Sequence, residues 1–77
     1  MNESRYQKLK EDLYRTQYNP NADWFTAQLY RLFQKADSGN RRRLAIGFPE
    51  HYQVWLDWYT APNEREFFAE FLNEGAR

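Results

Sequence analysis

The chain has no cysteine, one histidine, three glycines and three prolines among its 77 residues. Without cysteine there is no disulfide framework and no thiolate set for structural zinc. Three scattered glycines cannot make a phosphate-cradling loop. No segment approaches the roughly 18 consecutive apolar residues of a membrane span. The opening Met1-Asn2-Glu3-Ser4-Arg5 also lacks the apolar run of a signal peptide. These absences set the expectation of a cytoplasmic protein with no membrane partner. An excess charge of one sign is missing too, since 11 basic groups face 11 acidic ones. That balance argues against a generic nucleic-acid coat and against a highly charged disordered tail.

Aromatic residues fill the gap. Phe, Tyr and Trp total 15, whereas Leu, Ile and Val total nine, with a single Ile and a single Val. A domain of this size buries only about 60% of its unfolded-chain surface. Each aromatic can bury roughly 150–250 Å², so bulky rings suit a short chain that must build a core.

Hydrophobic spacing predicts four or five short helices in one domain, residues 1–77, with no strand-type alternation. Ser4 and Gln7 read as a capping box for a first helix reaching about Gln17. Tyr6, Leu9 and Leu13 share its inner face. Asn19-Pro20-Asn21 breaks it, and either asparagine can cap a second helix bearing Phe25, Leu29, Leu32, Phe33 and Ala36. Ser38 is a cap candidate for a third helix from Asn40 to Ile46. Pro49 suits the first turn of a fourth, amphipathic through Phe48, Tyr52, Trp55, Leu56 and Tyr59. Asn63 with Glu66 opens a fifth, with Phe67, Phe68, Phe71 and Leu72 inward and Gly75 at its end. On these faces ten aromatics fall inside: Tyr6, Phe25, Phe33, Phe48, Tyr52, Trp55, Tyr59, Phe67, Phe68 and Phe71. Tyr14, Tyr18, Trp24, Tyr30 and Trp58 fall off them.

The neutral total hides a dipolar chain. Residues 1–48 carry 9 basic and 5 acidic groups, and residues 49–77 carry 2 basic and 6 acidic, giving +4 and −4. The basic peak is Arg41-Arg42-Arg43. The acidic peak is Glu66, Glu70 and Glu74, spaced four apart so that they repel along one helical ridge. A basic partner surface would reward that ridge. It can equally be a solvated face, or face the basic half within the fold.

Three surfaces are candidates for binding. On the fourth helix Val54 and Trp58 make a second apolar stripe with His51, beyond an ordinary amphipathic face. If exposed, they form a protein-binding site, and Trp58→Ala spares stability while abolishing partner capture. If the helix is central, neighbouring helices cover them. The arginine cluster can bind phosphates or guanine edges, grip an acidic protein surface, or pack internally on aromatic faces. A helix-turn-helix fits poorly, because Lys35 falls where a small residue packs and Gly47-Phe48-Pro49 shortens the second helix. The glutamate ridge is the third candidate. A lone histidine makes no convincing metal site. Ser4 and Ser38 look like caps, no thiol exists, and so short a chain can hardly enclose a water-free pocket. No enzyme activity, cofactor or metal is expected.

The run Leu29-x-x-Leu32-Phe33-x-Lys35-Ala36-Asp37-x-x-Asn40-Arg41-x-Arg43-Leu44, followed by Gly47-Phe48-Pro49-Glu50 and by Trp55 with Trp58, resembles a group of small helical proteins of bacteria and their phages. The likeness spans about 30 of the 77 residues. It implies an accessory protein of a phage, prophage or mobile element. Such proteins often bind and inhibit a host protein, defence nucleases included. The expectation is therefore an all-α bundle with a non-enzymatic protein-binding role, inhibition included. A nucleic-acid-associated factor using Arg41–Arg43 and a self-associating structural protein are the alternatives.

Overall fold

The computed structural model describes residues 1–75, with side chains through Leu72. Among the described residues the protein is all-α. Its helices are α1 (Glu3–Tyr18), α2 (Phe25–Lys35), α3 (Ser38–Gly47), α4 (Pro49–Thr60), α5 (Glu64–Phe67) and α6 (Ala69–Gly75).

Local chemistry sets the boundaries, and two caps differ from the sequence expectation by only a residue or two. Asn2, rather than Ser4, starts α1, its Oδ1 accepting from the Arg5 N–H at 2.7 Å. Asparagine caps as well as serine does, and the earlier start adds two residues, about half a turn. Asp37 precedes Ser38 at the head of α3 and accepts from the Asn40 N–H at 2.8 Å. Neither asparagine of the first loop caps α2. Asn19 instead accepts from the Asn21 N–H at 3.0 Å, and Trp24 takes the N-cap position of α2 without a side-chain hydrogen bond. Arg31 reaches back from α2 to the carbonyls of Ala22 and Asn19, which fixes that loop. Pro49 and Asn63 take the predicted roles: proline in the first turn of α4, and asparagine accepting from the N–H groups of Arg65 and Glu66.

The predicted last helix is two pieces. At Phe68 the backbone opens to φ −101°, ψ 17°, and one N–H is shared between the carbonyls of Glu64 and Glu66. The break lets Phe68 drop fully into the core while Phe67 lies under the Lys10 ammonium, 4.4 Å from the ring centroid. Rings then stitch this end onto α1. Tyr14 lies 5.4 Å from Phe68 and 5.1 Å from Phe71, centroid to centroid.

The core sits where α1, α2 and α4 pack on one another. Leu9, Leu13, Leu29, Tyr30, Phe33, Val54, Trp55 and Phe68 form its buried cluster. Tyr30 was expected off the inner face, yet it is buried and donates its hydroxyl to the Leu9 carbonyl at 3.0 Å. The cause is a rotation of α2 toward Tyr30, because both α1 and α4 cover that side. The opposite edge of the apolar stripe is left out. Phe25 and Leu32, about 20° apart on a helix of 100° per residue, are 67% and 47% exposed. Tyr59 is also exposed, being next to last in α4 and beyond its neighbours. Further polar ties cross the bundle: Tyr6 to Asp57 at 2.7 Å and Trp24 Nε1 to Asp12 at 2.8 Å.

Candidate functional site

The proposed stripe on α4 is not a surface. Val54 has no exposed area, because α4 is the central helix and packs against α1, α2 and α3. The wide apolar arc follows from that position, since a helix covered on several sides is apolar on several sides. Trp58 is half-buried against the core cluster and donates from Nε1 to Glu64 at 3.0 Å, joining α4 to the head of α5. Trp58→Ala should therefore cost about 2 kcal/mol, roughly half the loss for a fully buried Trp. Urea unfolding measures it, and an unchanged midpoint would restore the exposed-anchor role.

His51 is half-buried between rings, 5.9 Å from Tyr30 and 6.0 Å from Phe48. Burial, and then the Arg5 guanidinium, hold its pKa below the ordinary 6.5, while Glu50 and Asp12 pull the other way. The folded state thus takes up this proton less readily than the unfolded chain. The stability from neutral His51 is complete above about pH 6.5 and is lost as pH falls through the native pKa. Between about pH 7.5 and pH 5, urea midpoints should fall more for the wild type than for His51→Gln, which keeps every carboxylate. Parallel pH profiles would contradict this.

The three arginines do different jobs. Arg41 turns inward. Its Nε donates to the Phe33 carbonyl at 2.8 Å and its Nη2 to the Ala36 carbonyl at 3.1 Å, at the end of α2. The guanidinium carbon lies 5.0 Å from the Trp55 ring centroid. Arg42 and Arg43 are exposed on α3, and Arg43 reaches only the Asn40 side-chain oxygen at 3.4 Å. The acidic ridge divides as well. Glu70 pairs with Lys10 at 3.1 Å, whereas Glu66 is exposed and makes no salt bridge among the described residues. The Glu74 side chain lies outside the described residues. Arg5 and Glu50 approach to 3.4 Å, so part of the charge dipole is closed within the fold.

What the structure brings together instead is one face of α2 and α3. None of α3's residues is fully buried, and α3 packs on α4 rather than on α2. A groove of about 460 Å³ lies between α2 and α3. Half-buried Ala36 and Leu44, with Leu32, form its apolar base, and Lys35, Asp37, Asn40 and Arg43 stand exposed around it. Farther along α2, Phe25 lies 6.0 Å from the half-buried Phe48 ring, and Ile46, on the side of α3 away from Leu44, is 77% exposed. Lys35, Arg42 and Arg43 make no salt bridge among the described residues.

The chain matches no family model, no curated protein and no solved structure.

Among the described residues, no group of His, Asp and Glu is placed to hold a metal ion, and no helix is long and apolar enough to cross a membrane. A second groove, about 640 Å³, runs along α1 past Arg5, Lys8, Arg15 and His51, with Phe25 on its border. Its charges are largely matched, with Arg15 on Glu11 at 2.7 Å and Arg5 on Glu50. The α2–α3 groove differs because neither of its cations, Lys35 and Arg43, makes a salt bridge among the described residues.

Sequence reasoning missed Phe25, Leu32 and Ile46 as surface residues. For Ile46 a signal was present. At 100° per residue it lies about 40° from Arg42 and 60° from Arg43, and nearly opposite Leu44. It therefore belonged with the arginines and not with the core. For Phe25 and Leu32 no local signal existed, because their exposure comes from the rotation of α2.

Proposed function

We propose that this chain is a non-enzymatic protein-binding domain that engages its partner through the α2–α3 face. The observation that carries this reading is the groove at the α2–α3 junction, where exposed Leu32 stands beside the cations of Lys35 and Arg43, with exposed Phe25 on the same side of α2. Folding gains nothing from leaving large apolar groups in water, and such patches on small proteins commonly mark interaction sites. Aromatic and arginine side chains are the usual anchors of protein interfaces. The likeness to small phage-type proteins supports one form of this role, in which the chain inhibits a host protein by occupying its surface.

Nucleic-acid binding is less well supported. It draws on the whole arginine cluster, and Arg41 is committed to carbonyl oxygens and to Trp55. That leaves few cations for a phosphate track.

The test is comparative capture from cells of the native host. Immobilised wild type should retain a specific protein at least ten times better than a Phe25→Gln/Leu32→Gln double variant of unchanged helicity. Equal retention by both, or retention of nothing, overturns the reading. Light scattering over a range of concentrations checks self-association. A dimer dispersed by the same double variant would assign the face to a second copy of the chain.

A further inference from the structure

The occupant of this face can be specified by its chemistry. Resting on the protein-binding reading above, we propose that the groove between α2 and α3 receives an acidic amphipathic helix of the partner protein. Three features of the groove select that class.

The first is shape. α2 and α3 are joined by a short turn, yet α3 packs mainly on α4, and a trough walled by side chains of both lies at their junction. A third helix laid between two helices completes ordinary ridge-into-groove packing. Among the described residues no strand offers an edge to an extended peptide, so β-augmentation is not open to this fold.

The second is the spacing of the apolar contacts. Leu32, Ala36 and Leu44 form the apolar spot inside the groove, and Phe25 with Phe48 forms a second one beyond it, where Phe25 borders the α1 groove. Leu32 and Phe25 are seven residues apart on α2, about 10.5 Å at 1.5 Å per residue. A docked helix with large apolar residues at i, i+3 or i+4, and i+7 places its outer anchors at that separation.

The third is charge. Lys35 and Arg43 flank the apolar base, and Arg42 stands on the next face of α3. The one carboxylate at the groove, Asp37, is already turned into the head of α3, accepting from the Asn40 backbone N–H at 2.8 Å and from the Asn40 amide at 3.4 Å. The groove's lining therefore carries two cations, Lys35 and Arg43, against the single carboxylate of Asp37. A helix carrying Glu or Asp beside its apolar stripe satisfies them, with bidentate pairing open to Arg43.

The probe is a displayed library of random 16-residue peptides, selected on the immobilised full-length chain. Recovered peptides should carry large apolar residues at helical spacing flanked by Asp or Glu. In amide NMR spectra they should shift signals between residues 32 and 44. A Lys35→Glu/Arg43→Glu variant, altered only at exposed positions, should bind them at least tenfold more weakly. It should also prefer versions whose acids are changed to lysine. Peptides without acidic bias, shifts centred elsewhere, or binding to the variant within twofold would overturn the proposal. So would recovery of no peptide, or low-salt binding of duplex DNA through the same residues in place of peptide. If host-protein capture still depends on Phe25 and Leu32 while the peptide experiment fails, the helix assignment falls and the protein-binding reading stands.

Discussion

Val54→Asp should abolish cooperative folding, whereas Ile46→Asp should leave it nearly unchanged. The two positions are eight residues apart and are the chain's only Val and Ile. Val54 has no exposed area and belongs to the core formed where α4 meets its neighbours. An aspartate there forfeits about 1.5–3 kcal/mol of apolar burial. It also brings a carboxylate into the core with no partner placed to receive it, a penalty of several kcal/mol even if partly relieved by protonation. At about 0.05–0.15 kcal/mol per residue, a chain of this length has roughly 4–12 kcal/mol of total stability. The substitution consumes most or all of it, so far-ultraviolet circular dichroism should show lost helicity and no sharp melt. Ile46 is 77% exposed, so aspartate there sacrifices little burial. Its cost is about 1 kcal/mol at most, from helix propensity and from an acid near the negative end of α3. A folded Val54→Asp protein melting close to the wild type would show that α4 is not the central helix.

The fold class was legible because helix periodicity and helix punctuation are local properties. Pro49 and Asn63 act where their chemistry puts them, and α2 and α4 announce themselves through apolar spacing. The site was not legible, because exposure depends on which neighbours a helix acquires. Val54 and Trp58 looked surplus to α4 only while the bundle was unknown. Once α1, α2 and α3 surround α4, a second stripe is what a central helix requires. Phe25 and Leu32 looked like core by the same local rule, and a small rotation of α2 toward Tyr30 put them at the edge. Phe68 shows a third limit: nothing in its neighbours' residue types marks the break between α5 and α6, which comes from fitting that ring against α1. Arg41-Arg42-Arg43 read as one basic feature because sequence shows charge and not direction. Successive residues on a helix differ by about 100°, so a triplet cannot point one way.

That division of the arginines predicts unequal effects on stability. Arg41→Ala should destabilise the protein by about 2–4 kcal/mol, and Arg43→Ala by no more than about 0.5 kcal/mol. The last carbonyls of any helix lack intrahelical partners. At the end of α2 the Arg41 guanidinium supplies them, donating to Phe33 at 2.8 Å and Ala36 at 3.1 Å. Hydrogen bonds from a charged donor contribute about 1.5–3 kcal/mol. The contact over Trp55, with Tyr59 at 6.0 Å, adds about 0.5–1 kcal/mol. The same side chain thus closes α2, orients α3 and lies on α4, so its loss loosens three helices together. Arg41→Lys should recover only part of the difference, because a point-like ammonium cannot present two donors along a planar fork while stacking on a ring. For a domain of 60–100 residues each kcal/mol shifts the melting temperature by about 4–8 °C. Arg41→Ala should therefore melt some 8 °C or more below the wild type, with Arg41→Lys between them and Arg43→Ala beside the wild type. Equal melting of the Arg41 and Arg43 variants would mean that the guanidinium is not held at the end of α2. The cluster would then be a single solvated surface, and the nucleic-acid role would regain the residue that the structure takes from it.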